Sequence, residues 1–164
     1  MNAAEQATSP ESANKIAATV ALFKRQFPKA KATLTPWMND PEAQAWTDPD
    51  SIDFGFNLPP GQTLVQLRLQ EQRLVGIEAA CFGPLGDQRW WFSTVGDWTF
   101  TGNYPPAVGF QGLFKQICQE LFLLFNGEVH SAAQDDAAPD EPTPERFMPD
   151  NPIQDETTQD LMGN

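Results

Sequence analysis

The chain has 164 residues, a net charge of −12, 40% hydrophobic residues and two cysteines, which suits one domain with appendages. Such a charge opposes binding to nucleic acid or an anionic membrane through a broad electrostatic field. The longest aliphatic and aromatic run, Leu121 to Phe125, is far too short to span a bilayer.

Three regions are expected. Residues 1–8 read as a disordered N-terminus, 9–127 as a single α+β domain, and 128–164 as a disordered, acidic, Pro-rich tail. The acidity belongs to that tail: Ser131 to Asn164 holds nine acids against Arg146 alone, a net −8. It serves as a solubilising appendage, and Phe147-Met148 and Leu161-Met162 are apolar spots of the kind found in short docking motifs.

Ser9-Pro10-Glu11 is a helix start, with Ser as N-cap, Pro at the first helical position and an acid in the first turn. Ile16, Val20, Phe23 and Phe27 then recur as one helical stripe, which Pro28 ends. Lys15, Lys24, Arg25, Lys29 and Lys31 lie off the stripe. Thr33 to Asp50, with Pro36, Trp37, Pro41, Trp46 and Pro49, reads as an ordered loop pinned by its two tryptophans, with a short helix at 41–45 capped by Asp40.

Ser51 to Asn57 alternates Ile52, Phe54 and Phe56 against polar residues or glycine, as a half-buried strand does. Leu64 to Gln70 and Leu74 to Phe82 are two further strands. A two-residue loop at Glu71-Gln72 pairs Val65, Leu67 and Leu69 with Leu74, Gly76 and Glu78. A three-residue loop pairs them with Val75, Ile77, Ala79 and Cys81, and is preferred because it buries more apolar surface. Gly83 to Asp87 is a turn.

Arg89 to Gly102 (RWWFSTVGDWTFTG) reads as a hairpin turning at Gly96-Asp97 in a type II′ turn, with Val95 opposite Trp98. One face then carries Trp91, Ser93, Val95, Trp98 and Phe100; the other carries Trp90, Phe92, Thr94, Thr99 and Thr101. Trp91 and Trp98 are assigned to the core, whereas the threonines beside Trp90 and Phe92 suggest a partly wet surface. Val108 to Asn126 is the longest helix, with a wide apolar face and Gly127 to end it. The expected fold is α+β: an antiparallel sheet of four to five strands flanked by an N-terminal and a C-terminal helix.

Catalytic groups are scarce. His130, the one histidine, sits at the edge of the tail with no nucleophile near it in sequence. Asp48, Asp50 and Asp53 lack the Gly and Glu of a calcium loop, and no zinc, phosphate or dinucleotide motif is present. Asp53, Glu78 and Asp97 invite comparison with a glycosidase acid pair, but nothing fixes their separation. Cys81 and Cys118 read as buried free thiols, which places the protein in the cytoplasm by default. No cofactor and no metal are expected.

Two helices can blanket only one side of a sheet that is aromatic on both, and an exposed aromatic patch marks a partner surface. Trp90 and Phe92 are the expected anchors, Arg89 and Thr101 their polar neighbours, and Trp37 and Trp46 either further partner contacts or a cover. The function expected is a non-enzymatic protein-binding module, an assembly chaperone or adaptor holding a partner segment or a second copy of itself. A small-ligand or carbohydrate binder, or a cryptic hydrolase, is the alternative.

The order helix, strands, helix resembles the small α+β chaperones and adaptors that hold a peptide of another protein, such as secretion chaperones. The texture from Ile16 to Trp46 and the RWWF hairpin also resemble small cyanobacterial proteins, one group of which helps to assemble carboxysome shells. The resemblance covers roughly residues 12 to 127 and implies an assembly role. It carries no functional residues over.

Overall fold

Six antiparallel strands form one sheet in the order of the chain, with two long helices packed on one side. The computed structural model describes residues 1–37, 41–42 and 47–127. The elements are α1 (Ala3–Gln6), α2 (Pro10–Gln26), β1 (Lys31–Thr33), β2 (Ser51–Leu58), β3 (Gly61–Gln70), β4 (Arg73–Phe82), β5 (Gln88–Ser93), β6 (Phe100–Thr101) and α3 (Val108–Asn126). The α+β class with terminal helices is as expected; the sheet gains β1, whose three residues carry no apolar alternation to announce a strand. His130, Trp46 and the acidic tail lie outside the described residues, as does most of the helix expected at 41–45.

The start of α2 follows from its first residues. Ser9 Oγ accepts from Ser12 N at 3.1 Å, and Ser12 Oγ accepts from Ser9 N at 3.0 Å, a reciprocal cap above Pro10. Ile16 and Phe23 are buried, and Val20 and Phe27 pack at the margin of the core. In α3 the buried face is Phe114, Ile117, Cys118, Leu121 and Phe125. Its last residue, Asn126, behaves like a short strand: the side-chain amide donates to Leu74 O at 3.0 Å, and its carbonyl accepts from Leu74 N at 2.8 Å. The helix end is thereby tied to the start of β4.

The N-terminus corrects the expectation of disorder at residues 1–8. Asn2 and Ala3 are buried, Asn2 bridges to Asp53 beside β2, and Ala4 N donates to Leu34 O at 3.0 Å. The edge of β2 is thus covered in two pieces, by β1 opposite 55–57 and by the first residues opposite Asp53. No apolar periodicity announces this, because the segment is held by backbone and polar contacts.

The β3–β4 hairpin combines both of its expected registers. Gln70 pairs with Arg73 across a two-residue loop whose Glu71 and Gln72 both have positive φ, 51° and 65°, the geometry of a type I′ turn. A bulge at Arg68/Leu69 then shifts the pairing, so that Leu67 meets Ile77, Val65 meets Ala79 and Thr63 meets Cys81. The preferred apolar face is kept, and the extra residue, Val75, is turned out to solvent.

The core lies between this face and the helices. Phe54, Val65, Ala79, Phe92 and Phe100 stand opposite one another across five strands. Phe114 of α3 presses into the row, its ring 5.3 Å from Phe92 and 5.8 Å from Phe100 and Phe23. Phe23 stacks on Phe56 at 4.1 Å. Ala79 is small where the aromatic rings are large, which lets the layer close.

Candidate functional site: the uncovered sheet face

Among the described residues the two long helices do cover one face only, but it is the face opposite to the one expected. Trp90 is 1% exposed and Phe92 fully buried, whereas Trp91 is 39% exposed. Trp90 packs edge-on against Phe100 at 5.2 Å and Phe110 at 5.8 Å. These two side chains are therefore core, and the expected docking patch at Trp90 and Phe92 does not exist in this chain.

Two local facts explain the reversal. Trp91 pairs with Thr101 and Phe92 with Phe100, one residue off the register that places Val95 opposite Trp98. Phe100 thus joins Trp90 and Phe92, and Thr101 moves to the other side. Thr94, which suggested a wet face, is itself buried: its Oγ1 accepts from Ile77 N at 2.8 Å, while its own N–H donates to Ile77 O at 2.9 Å. A threonine hydroxyl satisfied in this way sits comfortably in a core. Trp98, at φ 55°, is only half-buried, stacking on Phe122 at 5.9 Å.

The uncovered face has its own order. Thr33, Gly55, Leu64, Ala80, Trp91 and Thr101 are cross-strand partners in one row spanning the sheet. Leu64 and Ala80 are half-buried, so small and medium side chains form a shallow floor with Trp91 standing above it. Beside that row, Asn57, Gln62 and Phe82 make a second. Towards the β1 edge the floor deepens into a groove of about 480 Å³, lined among others by Lys31, Trp37, Gly55, Gln62, Leu64 and Phe82.

Trp37 is fixed there by a buried acid. Its Nε1 donates to Asp53 Oδ2 at 2.7 Å, and its backbone N–H donates to Asn2 Oδ1 at 3.0 Å. Asp53 Oδ1 accepts from Gln66 Nε2 at 3.1 Å, and the Met1 ammonium donates to Asp53 Oδ2 at 2.8 Å. Every donor needed to keep a buried carboxylate satisfied is present. Glu78, across Gln66 from Asp53, pairs with Arg68 at 3.6 Å, and Asp97 is exposed in the β5–β6 loop. Asp53 and Glu78 therefore have separate partners, and Asp97 lies in a different part of the chain from both.

Of the other expected site residues, Arg89 is half-buried at the bulge between β4 and β5, its Nε 4.0 Å from Asp87 Oδ2. Thr101 is exposed on the short edge strand. Trp37 faces the groove; Leu64, Ala80 and Phe82 are contributors that sequence reading missed, because alternation alone does not say which parity is covered. Asp48 Oδ1 accepts from Asp50 N at 2.9 Å, a turn before β2. Among the described residues no group of three or more His, Cys, Asp or Glu stands close enough to hold a metal ion. Cys81 and Cys118 are free and buried, and burial raises both thiols above their ordinary range. No helix among the described residues is long and apolar enough to cross a membrane.

A family model described as a domain of unknown function matches residues 4–127, and the chain belongs to that family. The match spans α1 to α3 with every strand between. No curated protein and no solved structure matches the chain.

Proposed function

We propose that the protein is a non-enzymatic binding module, a cytoplasmic assembly chaperone or adaptor that holds a segment of another protein against the uncovered sheet face. Trp91 is the central anchor, Leu64, Ala80 and Phe82 form the floor, and Trp37 walls the far end. The observation that carries this reading is the partly exposed indole of Trp91, seated on a floor of half-buried apolar residues that no element of the described chain covers. Aromatic side chains so placed are the usual centres of protein interfaces. The resemblance to cyanobacterial assembly proteins agrees with such a role.

The groove beside Trp37 also suits a small ligand, the second reading. Among the described residues its lining holds hydroxyls, amides and aromatic rings but no carboxylate, which favours a peptide over the sugar-and-acid chemistry of a hydrolase. Quantitative co-purification from the native host separates the readings. Capture of a specific protein partner should fall at least tenfold in Trp91→Ala and Leu64→Glu variants whose melting matches the wild type, consistent with the loss of an interface anchor at roughly 2 kcal/mol. Undiminished capture by both variants contradicts the reading.

A further inference from the structure

The charge in the groove is specific. The chain carries −12 overall, yet among the described residues the one charged residue lining the groove is a cation, Lys31. Lys31 is exposed and makes no ion pair among the described residues, where the six ion pairs involve the Met1 ammonium, Lys15, Arg25, Arg68 (twice) and Arg89. It stands opposite Asn57, in line with Gln62 and Phe82. The acids nearest the outer face are already engaged, Asp53 with its donors and Glu78 with Arg68.

The floor is shaped as well. Gly55 has an ordinary strand conformation, and a Cβ there would meet Thr33 Cβ at 3.4 Å and Pro36 Cβ at 3.6 Å. Glycine is thus not required by the backbone; it lets Thr33 and Pro36 close in over β2 at this side of the groove. Lys31 lies two strands across and two residues along from Leu64, about 12 Å at the usual strand spacing and rise. An extended chain covers that distance in about four residues, an even spacing that turns both side chains to the same face.

We propose that the groove takes an extended peptide segment carrying an apolar residue and, about four residues away on the same face, a carboxylate. The apolar side chain sits over Leu64 between Trp37 and Phe82, and the carboxylate pairs with Lys31. Asn57 and Gln62 offer donors and acceptors to the peptide backbone between them. This inference rests on the docking reading above and adds the chemistry of the partner.

An array of synthetic decapeptides tests it, each with one Phe or Leu followed four positions later by Asp, Asn or Lys, probed with the full-length chain. Asp members should bind about fivefold better than Asn members, the upper range for an exposed ion pair. That difference should shrink as salt is raised. Lys31→Glu should invert the preference towards Lys. Binding that is lost in Trp91→Ala but indifferent to Asp, Asn or Lys overturns the acidic partner and leaves the docking face standing. Binding by no member of the array overturns the inference, whereas the docking face itself fails only if host capture ignores Trp91→Ala and Leu64→Glu.

Discussion

The indole N–H of Trp37 donates to Asp53 Oδ2 at 2.7 Å, joining the loop after β1 to a fully buried carboxylate in β2. This contact sets the wall of the groove, since Trp37 has no strand of its own to hold it. Trp37→Phe keeps an aromatic wall but removes one donor from a buried charge. A hydrogen bond to a charged group contributes about 1.5–3 kcal/mol. Urea unfolding should show a loss in that range, and a loss below about 0.5 kcal/mol means that the contact is dispensable.

The two adjacent tryptophans of β5 should behave as opposites. Trp90→Ala or Phe92→Ala removes a ring from the closed aromatic layer and should destabilise by about 3–5 kcal/mol. Trp91→Ala, on the uncovered face, should change stability by less than about 1 kcal/mol. Thermal melts of the three variants check this directly. It also means that partner capture measured with the Trp90 or Phe92 variants reports unfolding rather than docking.

Asn126 closes α3 onto Leu74 with two hydrogen bonds. Asn126→Ala leaves the N–H and C=O of Leu74 without these partners and should cost about 1–3 kcal/mol. Asn126→Asp keeps the acceptor for Leu74 N but has no donor for Leu74 O, so its loss should be smaller. Equal stability of all three proteins by urea titration would show that the helix end is not anchored there.

The thiols give a signed pH dependence. Burial holds the Cys81 and Cys118 thiols above the ordinary thiol range, so the folded chain stays protonated where the unfolded chain ionises. Their stabilisation is fully present below the unfolded value near pH 8.5 and is lost as pH rises above it. Cys118, the more deeply enclosed, should then lower stability by up to about 1.4 kcal/mol per pH unit across that range, and Cys81 by less. Guanidinium unfolding of the wild type and a Cys118→Ala variant between pH 8 and 10 measures this, with a shallower slope expected in the variant.

The elements with strong local signals were legible in the sequence. Ser9-Pro10, the stripe Ile16 to Phe27 and the long face of α3 depend on i, i+3, i+4 spacing and caps, which are short-range. The parity of β5 was not, because both faces of RWWF are aromatic and the decision rests on the register with β6, one residue different from the simplest hairpin. Thr94 misled in a definite way: its hydroxyl replaces a sheet partner for Ile77 rather than meeting water. The β3–β4 hairpin shows a third case, in which a bulge lets the short loop and the apolar face coexist. Asn2, Trp37 and Gln66 meet at Asp53 from distant parts of the chain, and no local pattern encodes such a meeting.

The most direct test of the uncovered face is photo-crosslinking in the native host, with a benzophenone side chain at Ala80, mid-floor, or at Gly112, exposed on α3 with open space around it. A partner held on the sheet gives a discrete crosslinked protein from position 80 that disappears when Trp91→Ala is added, and none from position 112. The same products from both positions, or a product at 80 that survives Trp91→Ala, would contradict the account.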